Sequence, residues 1–205
     1  MDTPVPIPNT EVKHFNGENS VSEDSKLPIF FCLFLKLYIF MYNFFDIMIL
    51  VIYMEYKITT NNEIETMELA RNIESEKFPN MVICLDGELG SGKTVFTKGF
   101  AQALGINEVI TSPTFTIIKE YLYGEMPLYH MDVYRLDGNP DGIGIEEYFS
   151  KGGIVIIEWA DTIKDILPEN RLDIKIKVSD EDENKRVIFI YPHGKEYEDL
   201  CEGIL

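Results

Sequence analysis

The chain has 205 residues, 45% of them hydrophobic, and carries 18 basic against 35 acidic side chains for a formal charge of −17. That length builds one good core and leaves little for a second. The charge opposes close approach of a polyanion over most of the surface, so direct nucleic-acid binding is not the first expectation. Cys32, Cys84 and Cys201 lie far apart and form no C-x-x-C pair, which speaks against a zinc centre or disulfide framework and for reduced, cytoplasmic thiols.

Residues 1–26 are polar, Pro-dotted and without periodicity, and read as disordered. Residues 27–53 change abruptly to an apolar run interrupted only by Lys36, Asn43 and Asp46. Three readings compete for it. A transmembrane anchor would set Lys36 and Asp46 near the bilayer centre at about 2.5–3.5 kcal/mol each. A cleaved signal lacks its basic flank and small-residue cleavage site. The favoured reading is a mis-assigned start, with residues 54–205 forming the functional domain, a cytoplasmic location and no membrane attachment expected.

From Glu55 the pattern becomes regular. Tyr56-Lys57-Ile58-Thr59 is strand-like, and Asn61 or Asn62 offers a cap for a helix with Glu63 and Glu65 in its first turn and an Ile64, Met67, Ala70, Ile73 stripe. Met81 to Asp86 is a core strand in which Cys84 fills volume, and Val95 to Leu104 is a helix stopped by Gly105. Val109-Ile110 predicts the start of a strand, followed by a polar turn at Thr111 to Thr114. Phe115 to Tyr123 and Leu128 to Tyr134 read as two strands joined by Gly124 to Pro127. Gly142 to Phe149 predicts a short helix, Ile154 to Ile157 a buried parallel strand, and Leu167-Pro168 the close of a second short helix. Leu172 to Val178 and Arg186 to Tyr191 alternate around a solvated acidic turn and end the fold. The expected class is α/β, a P-loop NTPase-like three-layer fold with a mostly parallel central sheet and antiparallel edge strands.

Between the core strand and its helix stands Gly87-Glu88-Leu89-Gly90-Ser91-Gly92-Lys93-Thr94. Glycines let the backbone turn tightly and aim several N–H groups at one point, where a helix N-terminus adds partial positive charge for phosphate oxygens. Lys93 supplies a full charge and Thr94 a hydroxyl for Mg²⁺, the combination that G-x-x-x-x-G-K-[ST] requires in a strand-to-helix context. Such a loop needs a carboxylate at the end of a neighbouring strand. Asp132 follows Leu128-Tyr129-His130-Met131 and Glu158 follows Ile154 to Ile157, so both qualify. His130, a lone histidine in a strand, reads as structural, and Trp159, the only tryptophan, is expected beside the site.

Beyond the loop, SPTFTIIKEY from Ser112, LYHMDVYRL from Leu128, GIEEYF from Gly144 and IVIIEWAD from Ile154 follow in order. With GELGSGKT from Gly87, these blocks resemble the tRNA threonylcarbamoyladenosine biosynthesis ATPase family, TsaE, across essentially Met54 to Tyr191. The resemblance implies an ATP-binding, Mg²⁺-dependent ATPase that works with two protein partners to install a threonylcarbamoyl group on an adenosine beside the tRNA anticodon, with tRNA contact indirect. Carried over by residue, Lys93 and the loop backbone through Val95 hold the phosphates, Thr94 and Glu158 hold Mg²⁺, and Asp132 supports the γ-phosphate side. Ser112, Pro113 and Thr114 correspond to a switch-like segment, and Thr60 and Arg186 lie near the positions that cover the adenine. The extension through Tyr53 is absent from the family.

Other classes fit less well. A small-molecule kinase would want a lid with several arginines, and the chain has four in all, with Arg135 alone well placed. A guanine-specific switch would carry N-K-x-D, whereas Asn184-Lys185-Arg186-Val187 lacks the aspartate. An ATP-binding regulatory module without significant turnover is separated only by measuring hydrolysis.

Overall fold

The computed structural model describes residues 55–204 apart from Gly138, so the expectations for residues 1–53 and for Met54 lie outside the described residues. In chain order the elements are β1 (Tyr56–Thr60), α1 (Glu63–Ser75), β2 (Val82–Asp86), α2 (Lys93–Ala103), β3 (Ile118–Tyr121), β4 (Leu128–Asp132), β5 (Ile154–Glu158), β6 (Arg171–Val178), β7 (Arg186–His193) and α3 (Lys195–Ile204). Short 3₁₀ helices cover Tyr134–Leu136, Ile145–Ser150 and Ala160–Ile166.

The strands make one seven-stranded sheet in the order β1-β7-β6-β2-β5-β4-β3. Strands β6, β2, β5 and β4 run parallel, while β7, β1 and β3 are antiparallel to their neighbours. The side chains dictate this placement. Strands β4 and β5 are buried along their whole length and β2 nearly so, as strands covered on both faces must be, whereas β6 and β7 alternate and leave one face to water. The chain has the α/β P-loop NTPase-like fold, with antiparallel edges on a parallel centre.

Two apolar layers flank the sheet. On one side Ile83, Leu85 and Ile156 meet Leu69, Ala70 and Ile73 of α1, Phe96 and Phe100 of α2, and Tyr197 and Leu200 of α3. On the other, Cys84, Met131, Val155 and Ile157 meet Ile145, Ala160 and Ile163 of the 3₁₀ helices. Helices α1 and α2 approach closely at Gly99, where a Cβ atom would come within 2.6 Å of both the Met67 Cα and its carbonyl oxygen.

Several local expectations are corrected. The buried face of α1 is Thr66, Leu69, Ala70 and Ile73, and Ile64 is 66% exposed, because the cap is Asn62, whose side chain accepts the Glu65 amide. Val109-Ile110 forms no strand: Val109 is exposed and Ile110 alone reaches the core. The strand predicted from Phe115 starts only at Ile118, since the Pro113 carbonyl accepts the amides of Thr116 and Ile117 and turns the chain, with Ile117 at φ 66°. The strand predicted to Tyr134 stops at Asp132 and passes into a 3₁₀ turn. The fold does not end at β7. Helix α3 follows, and Tyr197, Leu200, Cys201 and Ile204 pack on the core at helical spacing. No helix among the described residues is long and apolar enough to cross a membrane.

Candidate functional site

Parallel pairing aligns the ends of three strands. Leu85 of β2 lies beside Glu158 of β5, which lies beside Asp132 of β4, so the loop after β2 and both carboxylates open onto one edge of the sheet. There they border a cavity of about 550 Å³, within the range that encloses a small ligand. Leu89, Gly90, Gly92, Lys93, Thr94, Val95, Ser112, Thr114, Asp132 and Glu158 line it, joined by Glu63, Tyr134, Arg135 and Trp159. Of the other residues nominated from sequence, Gly87, Glu88 and Ser91 shape the loop without facing that cavity.

Gly87 sits at φ 144° against β6, where a Cβ atom would collide with the carbonyl oxygen of Ile176. Only glycine allows the strand to turn into the loop at that point. Gly92 caps α2, and the intrahelical ladder begins with the Phe96 amide on the Gly92 carbonyl, leaving the amides of Lys93, Thr94 and Val95 without a partner inside the helix. An anion is the natural complement of those donors. Lys93 is 5% exposed; its Nζ donates to the carbonyls of Gly87 at 2.8 Å and Glu88 at 2.9 Å and stands 3.8 Å over the Trp159 ring. Burial lowers its pKa, and the charges of Glu158, Asp132 and Asp86 oppose that shift.

Two carboxylates divide the hydroxyls. Thr94 Oγ1 donates to Glu158 at 2.9 Å, and Glu158 Oε1 is also 2.9 Å from Nε2 of His130. Asp132 Oδ2 accepts from Ser112 at 2.5 Å and from Thr114 at 2.7 Å, while its Oδ1 accepts the Tyr134 amide at 3.2 Å. The Ser112 to Thr114 segment is thus latched to Asp132. Trp159, at φ 66°, sits beside the loop as expected.

The two residues placed near the adenine do not line this cavity itself. Thr60 is 3% exposed and shares a 2.8 Å hydrogen bond with Thr66, so it braces β1 against α1. Arg186 reaches across from β7, its Nε donating to the Ser91 carbonyl at 2.7 Å, and borders an adjoining cavity of about 40 Å³ that shares Glu63, Gly90, Gly92 and Val95 with the first. Sequence reasoning passed over Asp86, which accepts the Asp161 amide at 3.0 Å and whose carboxyl burial pushes up to about 6.

A family model described as "Threonylcarbamoyl adenosine biosynthesis protein TsaE" matches residues 60–188. The chain is 48% identical over 145 residues to the tRNA threonylcarbamoyladenosine biosynthesis protein TsaE of Bacillus subtilis, covering 71% of this chain and 90% of that one. The chain belongs to the TsaE family. A second TsaE, from Treponema pallidum, is 46% identical over 99 residues, covering 47% of this chain and 73% of its own length. The crystal structure of YdiB from Bacillus subtilis superposes with a TM-score of 0.65 at 44% identity, covering 73% of this chain and 93% of YdiB. The family-model match lies over the part of the chain that builds the cavity, since residues 60–188 contain every residue lining it.

A nucleotide and Mg²⁺ fit the side chains present. The donor set facing the cavity is a lysine, free helix-terminal amides and hydroxyls, which suits phosphates. Among the described residues no cluster of His, Cys, Asp or Glu forms a protein-only metal cage. Mg²⁺ does not need one, because it keeps waters and takes one or two protein oxygens beside phosphate oxygens, and Thr94 Oγ1 with Glu158 supplies such a pair.

Proposed function

We propose that this TsaE-family protein is a Mg²⁺-dependent ATP hydrolase that supports tRNA threonylcarbamoyladenosine biosynthesis by acting on a partner protein complex. The observation that carries the reading is the Thr94–Glu158 hydrogen bond, set between the N-terminus of α2 and the end of β5 with Lys93 one residue away. In this reading the α2 amides and Lys93 bind the phosphates, and Thr94 and Glu158 hold Mg²⁺. Bound Mg²⁺ supplies charge neutralisation as the terminal phosphate departs. Lys93, freed from the Gly87 and Glu88 carbonyls, donates to phosphate oxygen instead. The Trp159 ring, 3.8 Å from the Lys93 ammonium, adds a cation–π contact that holds it at the cavity.

The partner half of the proposal draws on the names of the relatives and on the rim of the cavity. Leu89 is 91% exposed, Phe115 85% and Tyr134 55%, a set of apolar side chains around the mouth that a monomer leaves unsatisfied. Asp132 is engaged by Ser112 and Thr114, so a partner that moves this segment also alters the carboxylate. That coupling supports hydrolysis governed by assembly. The kinase alternative finds one arginine at the cavity, Arg135, and its guanidinium lies 4.5 Å over Phe115.

Lys93→Ala tests the proposal. Hydrolysis, measured with and without the partner complex, is expected to fall about 100-fold or more, on the scale of losing one charged donor to the reacting phosphate. ATP turnover at the wild-type rate in a folded Lys93→Ala protein would remove the phosphate-loop assignment, and tight ATP binding with no turnover in the wild type under any partner condition favours the regulatory module.

A further inference from the structure

Beneath the metal-holding pair, one histidine is sealed into the floor of the site. His130 is wholly buried; its Nε2 lies 2.9 Å from Glu158 Oε1, and its Nδ1 has no hydrogen-bond partner among the described residues. Strand register accounts for the contact. His130 pairs with Ile156 across β4 and β5, so it shares a face with Leu128 and Asp132 and meets Glu158 on the diagonal, two positions along the neighbouring strand.

We propose that His130 is a positioning residue, whose Nε2–H donates to Glu158 Oε1 and fixes the rotation of the carboxylate toward Thr94. This rests on the reading of Thr94 and Glu158 as the holders of Mg²⁺. The tautomer follows from the partners. An ionised carboxylate only accepts, so the nitrogen facing it carries the hydrogen. A hydrogen on Nδ1 would be a buried donor with no acceptor among the described residues. Among the described residues, Thr94 and His130 are the only groups donating to the Glu158 carboxylate. When the Thr94 oxygen turns to another partner, His130 alone keeps Glu158 from swinging. A ligating group held by a hydrogen-bonded neighbour binds metal more tightly, since its orientation is set in advance.

The first test uses wild-type protein free of nucleotide. ¹⁵N NMR of His130 is expected to show a hydrogen on Nε2, and a bare Nε2 overturns the proposal. The second titrates Mg²⁺ at fixed ATP, read from the fluorescence of Trp159, the only tryptophan of the chain. His130→Ala is expected to raise the Mg²⁺ midpoint about tenfold, with ATP affinity in EDTA unchanged. His130→Gln, whose amide donates from nearly the Nε2 position, restores most of the loss. In a Glu158→Gln background His130→Ala adds nothing further. An unmoved midpoint in a folded His130→Ala protein, or ATP affinity in EDTA falling in step with it, overturns the role. If neither variant folds, the tautomer decides. A wild-type protein with no Mg²⁺-dependent nucleotide signal overturns the nucleotide reading and this role together, whereas a wrong tautomer overturns the role alone.

Discussion

Asp86 shows how one buried charge sets a pH dependence apart from any chemistry. It closes β2 immediately before the loop, and burial raises its carboxyl from the ordinary 3.8 to about 6. The folded chain therefore holds that proton more tightly than the unfolded chain. The contribution to stability is full below pH 3.8 and is lost as pH rises through about 6. Asp86→Asn keeps an oxygen for the Asp161 amide and removes the charge. It is expected to stabilise the protein at pH 7.5 by about 1 kcal/mol, discounted for partial solvent access, and to make no difference at pH 3.5. Thermal unfolding at the two pH values checks this, and an equal or reversed difference at pH 7.5 contradicts it. At this scale Asp132 and Glu158 were legible because each ends an apolar run. The His130 contact was not, since it depends on which strand lies beside β4 and in what register.

At the scale of elements, periodicity carried most of the fold. Unbroken apolar runs marked β2 and β5 as central, and alternation marked β6 and β7 as half-covered. Ends were less legible. Where β3 begins is decided by hydrogen bonds to Pro113 and not by propensity. The close contact of α1 with α2 was equally hidden, because a glycine inside a helix announces only a loss of propensity. Gly99→Val is expected to destabilise the fold by about 2 kcal/mol, the size of an overpacking penalty. Urea unfolding measures it. Gly203, where an added Cβ would meet nothing within 4 Å, provides the control, and an equal effect of Gly203→Val would show that the cost is not steric.

Strand order belongs to the whole molecule and could not be read from local pattern. β2 lies between β5 and β6, both far along the chain, and α3 then completes its surroundings from the opposite end of the described sequence. The Tyr197 hydroxyl oxygen accepts the Val82 amide at 2.8 Å, and the Tyr197 ring packs edge-on against Phe78 at 5.1 Å between centroids. Tyr197→Phe keeps the packing and orphans the amide, which costs about 1–3 kcal/mol for a buried donor. Amide hydrogen exchange at Val82 is the specific readout. Faster exchange there with unchanged protection in β6 is expected, and an unaltered Val82 amide would show that the tyrosine is only apolar filling.

That link between Val82 and Tyr197 also imposes an order on how the protein comes into being. Gly87 is synthesised long before Ile176, against whose carbonyl it packs, and before Tyr197, whose hydroxyl takes the Val82 amide of the strand that leads into the loop. A nascent chain released only as far as β5 has the whole phosphate-loop sequence, but not the neighbours that give the loop its shape. Long-range pairing of this kind is slow and closes late. On the nucleotide reading proposed above, the loop gains its full support only with the last helix, so a chain clipped before Tyr197 is expected to bind ATP less tightly than the full chain.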